Sequence, residues 1–389
     1  MGQQVDLAGD LAETAVLSTL NGSAEHVAAI SCVDAELRKL PLPKHLPGIP
    51  AESDFAHPAE LDLARIFSFY RVRWVYEPTT FHLEFDDSGR PTEQVTPDFY
   101  LPDHDIYVEL TTMRQSLVTR KNRKIRRLKE AFPTLHVKLL YRKDYDRLVG
   151  SFLTPPTSFE TQVPGKPIFT EKQIQQRISE MAGELLGNSA MQVEPAVAWN
   201  GAGRPAFPDH ASNGNGYQPQ RSNGADEGRL DQAAPVHLMG LGAGSKRFLG
   251  ALEDSMNAAG ASVASDWLSL TRYADASSDS RVKIGRRPRL PVAGQDVTLV
   301  ADVISTGLSV AFVVEWLKRH DARRVQVCTL LDREEARILD VPIACAGFTA
   351  SNDVLVGFGI SYLNHFDELL HIAALKLPAK SRTRSPGPE

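Results

Sequence analysis

Long apolar runs, cysteine pairs and a strong net charge are all missing from this chain of 389 residues. No stretch approaches the roughly 18 consecutive apolar residues of a membrane helix, so we expect no membrane partner. The three cysteines, Cys32, Cys328 and Cys345, have neither the spacing of a metal site nor an even disulfide set. The start of the chain lacks a secretory signal pattern, and we therefore expect a cytoplasmic protein. With a net charge of −5, any contact with nucleic acid must come from a local patch.

The length of the chain favours two domains, because a single core rarely grows so large. Proline-rich and glycine-rich stretches mark the breaks between them. They predict a poorly ordered arm, an α/β domain, a linker, a second α/β domain and a disordered tail, over 1–50, 51–150, 151–167, 168–378 and 379–389. Within the second domain, residues 195–234 contain few large apolar side chains, which predicts a disordered insert.

The first domain has the pattern of a compact α/β unit. Pro58 suits the first turn of a helix, and Leu63 and Phe67 follow at helical spacing. A basic helix is predicted over 118–131. Apolar and alternating runs predict strands around 72–76, 81–85, 98–101, 106–110 and 135–141.

Two acidic residues of the first domain, Asp98 and Glu109, lie on neighbouring predicted strands. Two carboxylates at adjacent strand ends can share a hard cation such as Mg²⁺. A metal held in this way can activate water and stabilise charge on a phosphodiester. Glu60, on the first helix, could add a third oxygen. We therefore predict a Mg²⁺ site with Asp98 and Glu109 as its ligands.

The short motifs around Asp98 and Glu109 resemble those of the PD-(D/E)XK nuclease superfamily, which implies a nuclease-like domain with Asp98, Glu109 and Glu60 in catalytic roles. The third motif of that superfamily normally ends in lysine, and this chain has Thr111 there. Lys121 is the candidate replacement, because helical phase places it in the apolar arc of the basic helix, where a lysine needs an acidic partner. The alternative is that the Lys121 side chain merely reaches solvent along the helix surface.

The basic helix also carries side chains that we predict to be exposed: Arg120, Arg123, Lys124, Arg126, Arg127 and Lys129. Such a face can contact the phosphate backbone of DNA or RNA, so residues 120–129 form the predicted nucleic-acid contact. A solvated basic face with no nucleic-acid partner is the alternative.

A phosphate-binding turn is predicted in the second domain. The apolar run 297–304 favours a buried strand, small residues follow it, and a helix is predicted from about Ser309. Backbone N–H groups and hydroxyls at a helix N-terminus suit a phosphate. An ordinary strand-loop-helix crossover is the alternative. The candidate phosphate- and ribose-binding residues are Asp302, Ser305, Thr306, Gly307, Leu308 and Ser309.

This run resembles the phosphoribosyl-diphosphate motif of the hypoxanthine-guanine phosphoribosyltransferases. Four further stretches resemble that family in the same order, at 240–248, 271–273, 325–333 and 356–362. The resemblance implies a type I phosphoribosyltransferase fold with a central parallel sheet. It also implies phosphoribosyl diphosphate or a purine nucleotide as ligand, with Arg333 and Val354 at the base-binding positions.

Several positions depart from the family's pattern. The family has a glutamate at the position of Ala301, an aspartate at Ser305 and an aromatic residue at Val354. It also has an aspartate at Ser361 and an arginine at Asp367. Loss of a general acid or base slows a reaction by about 10²–10⁴-fold, and loss of a stacking platform costs about 1–3 kcal/mol. The departures favour a ligand-binding or structural remnant over a working transferase.

Three functions therefore stay open. The chain is a metal-dependent nuclease whose second domain senses a phosphorylated ribose or nucleotide, a phosphoribosyltransferase with an altered acceptor, or a non-catalytic scaffold or nucleic-acid-binding protein. Carboxylates that converge on one point favour the first function, and an intact diphosphate-and-metal pocket favours the second. The sequence leaves oligomeric state open.

Overall fold

The structure is a computed structural model that describes residues 50–111, 115–150, 163–190, 235–272, 281–351, 353–362 and 364–376. Apart from residue 50 and residues 163–167, the predicted arm, linker, insert and tail lie outside these ranges, as does Tyr273 of the stretch 271–273. Within the described ranges, no helix combines the length and apolarity needed to cross a membrane.

The helices of the described residues are α1 Pro58–Phe69, α2 Gln115–Ala131, α3 Arg142–Gly150, α4 Glu171–Ala190, α5 Ser245–Ala258 and α6 Leu308–Arg319. The first six strands are β1 Val75–Tyr76, β2 Phe81–Phe85, β3 Pro91–Val95, β4 Phe99–Leu101, β5 Ile106–Thr111 and β6 Val137–Tyr141. The next five are β7 Val163–Phe169, β8 Val236–Leu241, β9 Val263–Leu268, β10 Leu270–Arg272 and β11 Val282–Ile284. The last five are β12 Asp296–Ile304, β13 Arg324–Asp332, β14 Ile343–Thr349, β15 Leu355–Val356 and β16 Ile372–Lys376.

The front domain, residues 50–150, is built on a four-stranded sheet in the order β1-β4-β5-β6. The β4–β5 pair is antiparallel and the β5–β6 pair is parallel. Helix α1 begins at Pro58, where the N–H of Ala59 donates to Nδ1 of His57 at 3.1 Å and so caps the helix. The helix packs on the sheet through Phe67, whose ring lies edge-on to that of Phe99 with the two ring centroids 5.6 Å apart. This arrangement fixes α1, which carries Glu60, against β5, which carries Glu109, and against β4, which Asp98 directly precedes.

A hairpin of β2 and β3 extends from this sheet. The sequence predicted β2 but missed β3 and α3. Helix α2 covers the hairpin and forms a separate small core with it, made of Val95, Ile125, Leu128 and Val137. The apolar arc of α2 therefore faces the front-domain strands, as its periodicity predicted.

The second domain is centred on a five-stranded sheet in the order β14-β13-β12-β8-β9, in which every neighbouring pair is parallel. This confirms the central parallel sheet predicted for the strand that carries Asp302. The apolar run extends that strand to Ile304, and α6 begins at Leu308 rather than Ser309. Helix α4 starts with a capping pair, in which the N–H of Thr170 donates to Oε1 of Gln173 at 2.9 Å.

A smaller antiparallel sheet, β15-β16-β7, lies beside the parallel one. Its strand β7 includes residues 163–167, which composition had assigned to the linker. Proline content suggested a linker there, but the pairing with β16 supplies the hydrogen bonds of a strand.

The two domains share one apolar core. Leu63 and Phe67 of α1 belong to the same buried cluster as Leu308, Ile338 and Leu339 of the second domain. Each of these five side chains is at most 3% exposed. The front domain is therefore packed against the second domain and not merely tethered to it.

Candidate functional site

The candidate ligand crevice lies at the carboxyl edge of the parallel sheet. Strands β8 and β12 lie side by side, while the chain continues to β9 on one flank and to β13 on the other. Open α/β sheets bind ligands at such a point, where the strand order reverses. Two loops meet there, residues 242–244 after β8 and residues 305–307 after β12.

The segment predicted to bind phosphate, residues 305–309 and called the phosphate loop below, is held by the segment that follows β13. The carbonyl of Thr306 accepts hydrogen bonds from the N–H of Ile338 at 2.9 Å and of Leu339 at 3.0 Å. Gly307 has a φ of 83°, and a Cβ there would collide with the carbonyl oxygen of Leu339. Helix α6 starts at once, at Leu308. Since the first N–H groups of a helix have no partner within it, this turn offers donors to an anion.

Asp302 faces the other loop of the crevice. A Cβ on Gly244 would collide with its Oδ2 atom, so the carboxylate would have to move if any other residue stood there. The Oδ1 atom accepts a hydrogen bond from the N–H of Val303 at 2.8 Å. A partly exposed carboxylate therefore lies between the two loops, where it can contact the hydroxyls of a bound sugar.

The front domain holds a second candidate site, in which Asp98, Glu109 and Lys121 converge. The N–H of Asp98 donates to Oε2 of Glu109 at 3.1 Å, and the N–H of Leu110 donates to Oδ2 of Asp98 at 2.6 Å. Nζ of Lys121 lies 2.6 Å from Oε1 of Glu109 and also donates to the carbonyl of Leu110 at 2.6 Å. Lys121 is thus turned toward the acids and does not simply extend into solvent.

Electrostatics make this carboxylate pair, Asp98 and Glu109, unusual. Burial, and next the negative charge of Glu109, raise the pKa of Asp98 to about 7. Burial also raises the pKa of Glu109, although Lys121 opposes that change. Two buried carboxyl groups share one lysine, so a further cation between them would stabilise the ionised state of both.

Glu60 is fixed nearby on α1. Its carboxylate accepts hydrogen bonds from the hydroxyl of Tyr76 at 2.7 Å and from the N–H of His57 at 3.2 Å. Its charge contributes to the raised pKa of both Asp98 and Glu109. Among the described residues, however, no group of three or more His, Cys, Asp or Glu side chains is arranged to hold a metal ion. Glu60 is therefore not part of a ready-made three-acid site.

Tyr76 is the residue of this cluster that the sequence did not reveal. It also accepts a hydrogen bond from the N–H of Ala56 at 3.0 Å. Strand pairing is what brings Tyr76 to the cluster, because Tyr76 lies opposite Phe99, the neighbour of Asp98. That pairing joins separate strands and leaves no local pattern in the sequence.

The predicted basic face of α2 is only partly free of protein contacts. Arg127 forms ion pairs with Glu84 and Glu93 of the hairpin, and Nζ of Lys124 donates to the carbonyl of Gln94 at 3.1 Å. The prediction that these two side chains belong to an open face was therefore wrong, since the hairpin lies against them. The exposed members of the set are Arg120, Arg123, Arg126 and Lys129.

Comparison with known proteins bears on the second domain. The family model for the phosphoribosyl transferase domain matches residues 224–362. The hypoxanthine-guanine phosphoribosyltransferase of Lactococcus lactis is 30% identical over 140 residues, which cover 36% of this chain and 74% of that enzyme. The chain belongs to the phosphoribosyltransferase family. Its C-terminal region is a phosphoribosyltransferase domain similar to the hypoxanthine-guanine enzymes.

Other relatives are matched over different shares of their length. The hypoxanthine-guanine phosphoribosyltransferase of Mycobacterium avium is 32% identical over 111 residues, 28% of this chain and 55% of that protein. The chain thus spans about half the length of that relative. A solved structure of the hypoxanthine phosphoribosyltransferase from Trypanosoma cruzi, in complex with the product IMP, has a TM-score of 0.42 at 19% identity. That comparison covers 56% of this chain and 98% of the other.

The structure places four of the residues that were predicted to depart from the family's pattern. Ala301 is 1% exposed and lies in the apolar cluster that joins β12 to α6. Val354 packs in an apolar cluster with Val356 and Tyr362. Ser305 is half-buried in the phosphate loop. Asp367 has an exposed side chain, and its carbonyl accepts hydrogen bonds from Gly359 and Arg247.

Arg333, which is predicted to bind the base, is 3% exposed. One nitrogen of its guanidinium donates to the carbonyl of Asp353 at 2.8 Å. The side chain therefore joins β13 to the segment that leads into β15, close to Val354.

Proposed function

We propose that the phosphoribosyltransferase domain binds a 5′-phosphorylated ribose, as phosphoribosyl diphosphate or as a purine nucleotide, in the crevice between β8 and β12. The observation that carries the proposal is the phosphate loop clamped at the reversal of strand order, with Asp302 facing the loop 242–244. The loop and the start of α6 bind the phosphate, and Asp302 binds the ribose hydroxyls. Such a ligand is a cytoplasmic metabolite, which fits the expected compartment.

We further propose that this domain is a poor purine-salvage enzyme. The buried methyl group of Ala301 cannot contact a ribose hydroxyl, and Ser305 carries no carboxyl group to exchange a proton with a purine. Val354 offers no aromatic face, and Asp367 would repel a diphosphate. Loss of a general acid or base alone lowers a rate by about 10²–10⁴-fold. Binding of the phosphorylated ribose does not require these lost groups, because the N–H groups at the start of α6 bind the phosphate and Asp302 is retained.

Binding and turnover are tested separately. Calorimetric titration of the full chain with ribose 5-phosphate, phosphoribosyl diphosphate and IMP should give binding for at least one of the three. Conversion of hypoxanthine or guanine should fall far below the usual enzyme range of about 1–10³ s⁻¹. Failure of all three ligands to bind would overturn the binding proposal, and turnover within that range would overturn the second.

A transferase with an altered acceptor is the alternative for this domain. Asp302 and the phosphate loop are the parts that such an enzyme must keep. Release of diphosphate from phosphoribosyl diphosphate in the presence of other purines and pyrimidines would identify it.

For the front domain we propose a metal-dependent nuclease-like site. The observation that favours it is the convergence of Asp98, Glu109 and Lys121. The two acids suit Mg²⁺, which often takes one or two carboxylates and completes its shell with water and phosphate oxygens. When bound there, Mg²⁺ supplies a Lewis acid for phosphodiester hydrolysis. Asp98 and Glu109 would hold it, and the Lys121 ammonium group would stabilise charge on the phosphate.

The nuclease proposal is tested with Asp98→Ala, Glu109→Ala and Lys121→Met, assayed on single- and double-stranded DNA and RNA with Mg²⁺. Each change should abolish cleavage while circular dichroism shows a retained fold. Lys172→Met, an exposed lysine of α4 that lies outside both candidate sites, is the matched control and should keep activity. Cleavage by both acid variants would refute the mechanism. Absence of cleavage by the wild type, together with absence of ligand binding, would favour a scaffold.

A further inference from the structure

The phosphate loop rests directly on the front domain. Leu308, the first residue of α6, is 1% exposed and lies in the cluster built around Phe67 of α1. Ile338 and Leu339, whose N–H groups hold the carbonyl of Thr306, lie in the same cluster. Both sides of the loop are therefore anchored in a core that the front domain completes.

A pair of hydroxyls crosses this boundary. Oγ of Ser309 in the phosphate loop donates a hydrogen bond to the Tyr70 hydroxyl at 3.3 Å, and the two residues are 239 positions apart in the sequence. Tyr70 follows the last residue of α1 and is 5% exposed. Its N–H donates to the carbonyl of Ile66 at 3.1 Å, and its ring packs edge-on against Phe69 at 5.2 Å. The hydroxyl of Tyr70 is thus held in place by the helix end and by ring packing.

Further contacts support the same boundary. The guanidinium of Arg71 lies 6.0 Å from the ring centroid of Phe312 in α6. Nζ of Lys138 in β6 donates to the carbonyl of Glu335 at 2.8 Å. These contacts flank the loop, so the front domain cannot shift without moving the start of α6 or the segment 335–339.

A bound phosphate would reverse the direction of the hydrogen bond between the Ser309 and Tyr70 hydroxyls. Ser309 lies in the first turn of α6, where its O–H can turn toward a phosphate oxygen. The Tyr70 hydroxyl can then donate to Oγ of Ser309, which leaves the serine proton directed at the ligand. Hydrogen bonds linked in this way polarise and strengthen one another.

We propose that Tyr70 is a positioning residue of the phosphate loop, supplied by the front domain, and that occupancy of the loop by a ribose phosphomonoester tightens the contact between the domains. The inference rests on the proposed binding of a 5′-phosphorylated ribose. It assigns to the front domain a part in ligand binding that is separate from its acidic cluster.

The test is calorimetric titration of the full chain with ribose 5-phosphate. Tyr70→Phe keeps the ring and removes the hydroxyl, and it should weaken binding about threefold to tenfold, the usual effect of one hydrogen bond. Ser309→Ala should also weaken binding, and Tyr70→Phe should have no further effect in that background. Tyr100→Phe, which removes a hydroxyl bound to Asp105 in the same domain, is the control and should bind like the wild type.

Hydrogen exchange provides a second readout. Ribose 5-phosphate should increase amide protection over residues 66–72 in the wild type, and the increase should be lost in Ser309→Ala. If the wild type does not bind ribose 5-phosphate, the proposed function fails and this inference fails with it. If the wild type binds and Tyr70→Phe has the same affinity, the inference alone is overturned, even where thermal stability falls.

Discussion

The ionisation of Asp98 should be visible in the pH dependence of this protein's stability. Its carboxyl group is 8% exposed, beside a second acid, and the raised pKa of about 7 follows from both conditions. In the unfolded chain, the pKa of Asp98 would be 3.8. Because the folded pKa lies above the unfolded value, the native state binds more protons between these limits. Stability from this group is therefore lost as the pH rises from about 4 to 7.

We predict that Asp98→Asn removes this pH dependence. The wild type should lose thermal stability relative to the variant as the pH rises from 5 to 8, because the variant has no carboxyl group at position 98 to ionise. Scanning calorimetry across that range measures the difference. In the wild type, Mg²⁺ should restore stability at pH 8 if it binds the carboxylate pair. Parallel stability curves for the two proteins would contradict the prediction.

Substitution by alanine should have opposite effects on stability at Gly307 and at Gly183. Alanine at Gly307 must adopt a φ of 83° and would meet the carbonyl oxygen of Leu339, so Gly307→Ala should cost about 1–3 kcal/mol and weaken ribose 5-phosphate binding. Gly183, inside α4, has nothing within 4 Å of an added Cβ, and Gly183→Ala should add about 0.5–1 kcal/mol. Urea unfolding measures both values. Equal effects of the two changes would show that loop geometry does not matter.

At the scale of elements, helix α4 is joined to the edge of the parallel sheet by one forked side chain. Nε and a terminal nitrogen of Arg177 donate to the carbonyls of Gly347 at 3.1 Å and Ala346 at 2.8 Å. Both carbonyls belong to β14, the edge strand of the sheet. Glu184 on the same helix pairs with the guanidinium at 2.6 Å and keeps it oriented.

Arg177→Met should therefore destabilise the protein by about 1–3 kcal/mol, because two carbonyls lose a charged donor. Arg319→Met, which breaks an exposed pair with Glu315, is the matched control and should cost less than about 0.5 kcal/mol. Urea unfolding of both variants gives the comparison. A cost for Arg177→Met no larger than that of the control would mean that the helix is held by apolar packing alone.

At the scale of the whole molecule, the shared core predicts that the two domains unfold together. Leu339 is 0% exposed within that core, whereas Leu128 is 0% exposed in the separate core beneath the hairpin. Each Leu→Ala change should cost about 2–5 kcal/mol. Only Leu339→Ala should also weaken ribose 5-phosphate binding, because Leu339 supports Thr306 of the phosphate loop. Calorimetry should show one transition for the wild type, and two well-separated transitions would contradict the shared core.

Local patterns predicted much of the fold and part of each site. The apolar run before Asp302 and the small residues after it predicted a strand, a turn and a helix, because strand and helix periodicities extend over few residues. For the same reason, helical periodicity predicted that the Lys121 side chain faces inward. Strand β3 was missed because the run from Pro91 to Val95 is polar, and its pairing with β2 supplies what propensity lacks.

The amino-acid sequence by itself thus determined many of the elements, the strand-turn-helix around Asp302 and the acids that meet in the front domain, and the family resemblance implied the parallel sheet. Only the tertiary structure decided that Tyr76 supports Glu60, that the hairpin lies against Lys124 and Arg127, and that Tyr70 reaches Ser309. These contacts join residues that are distant in the chain. Periodicity and spacing describe neighbours along the chain, whereas the packing of two domains on one core decides which distant side chains meet.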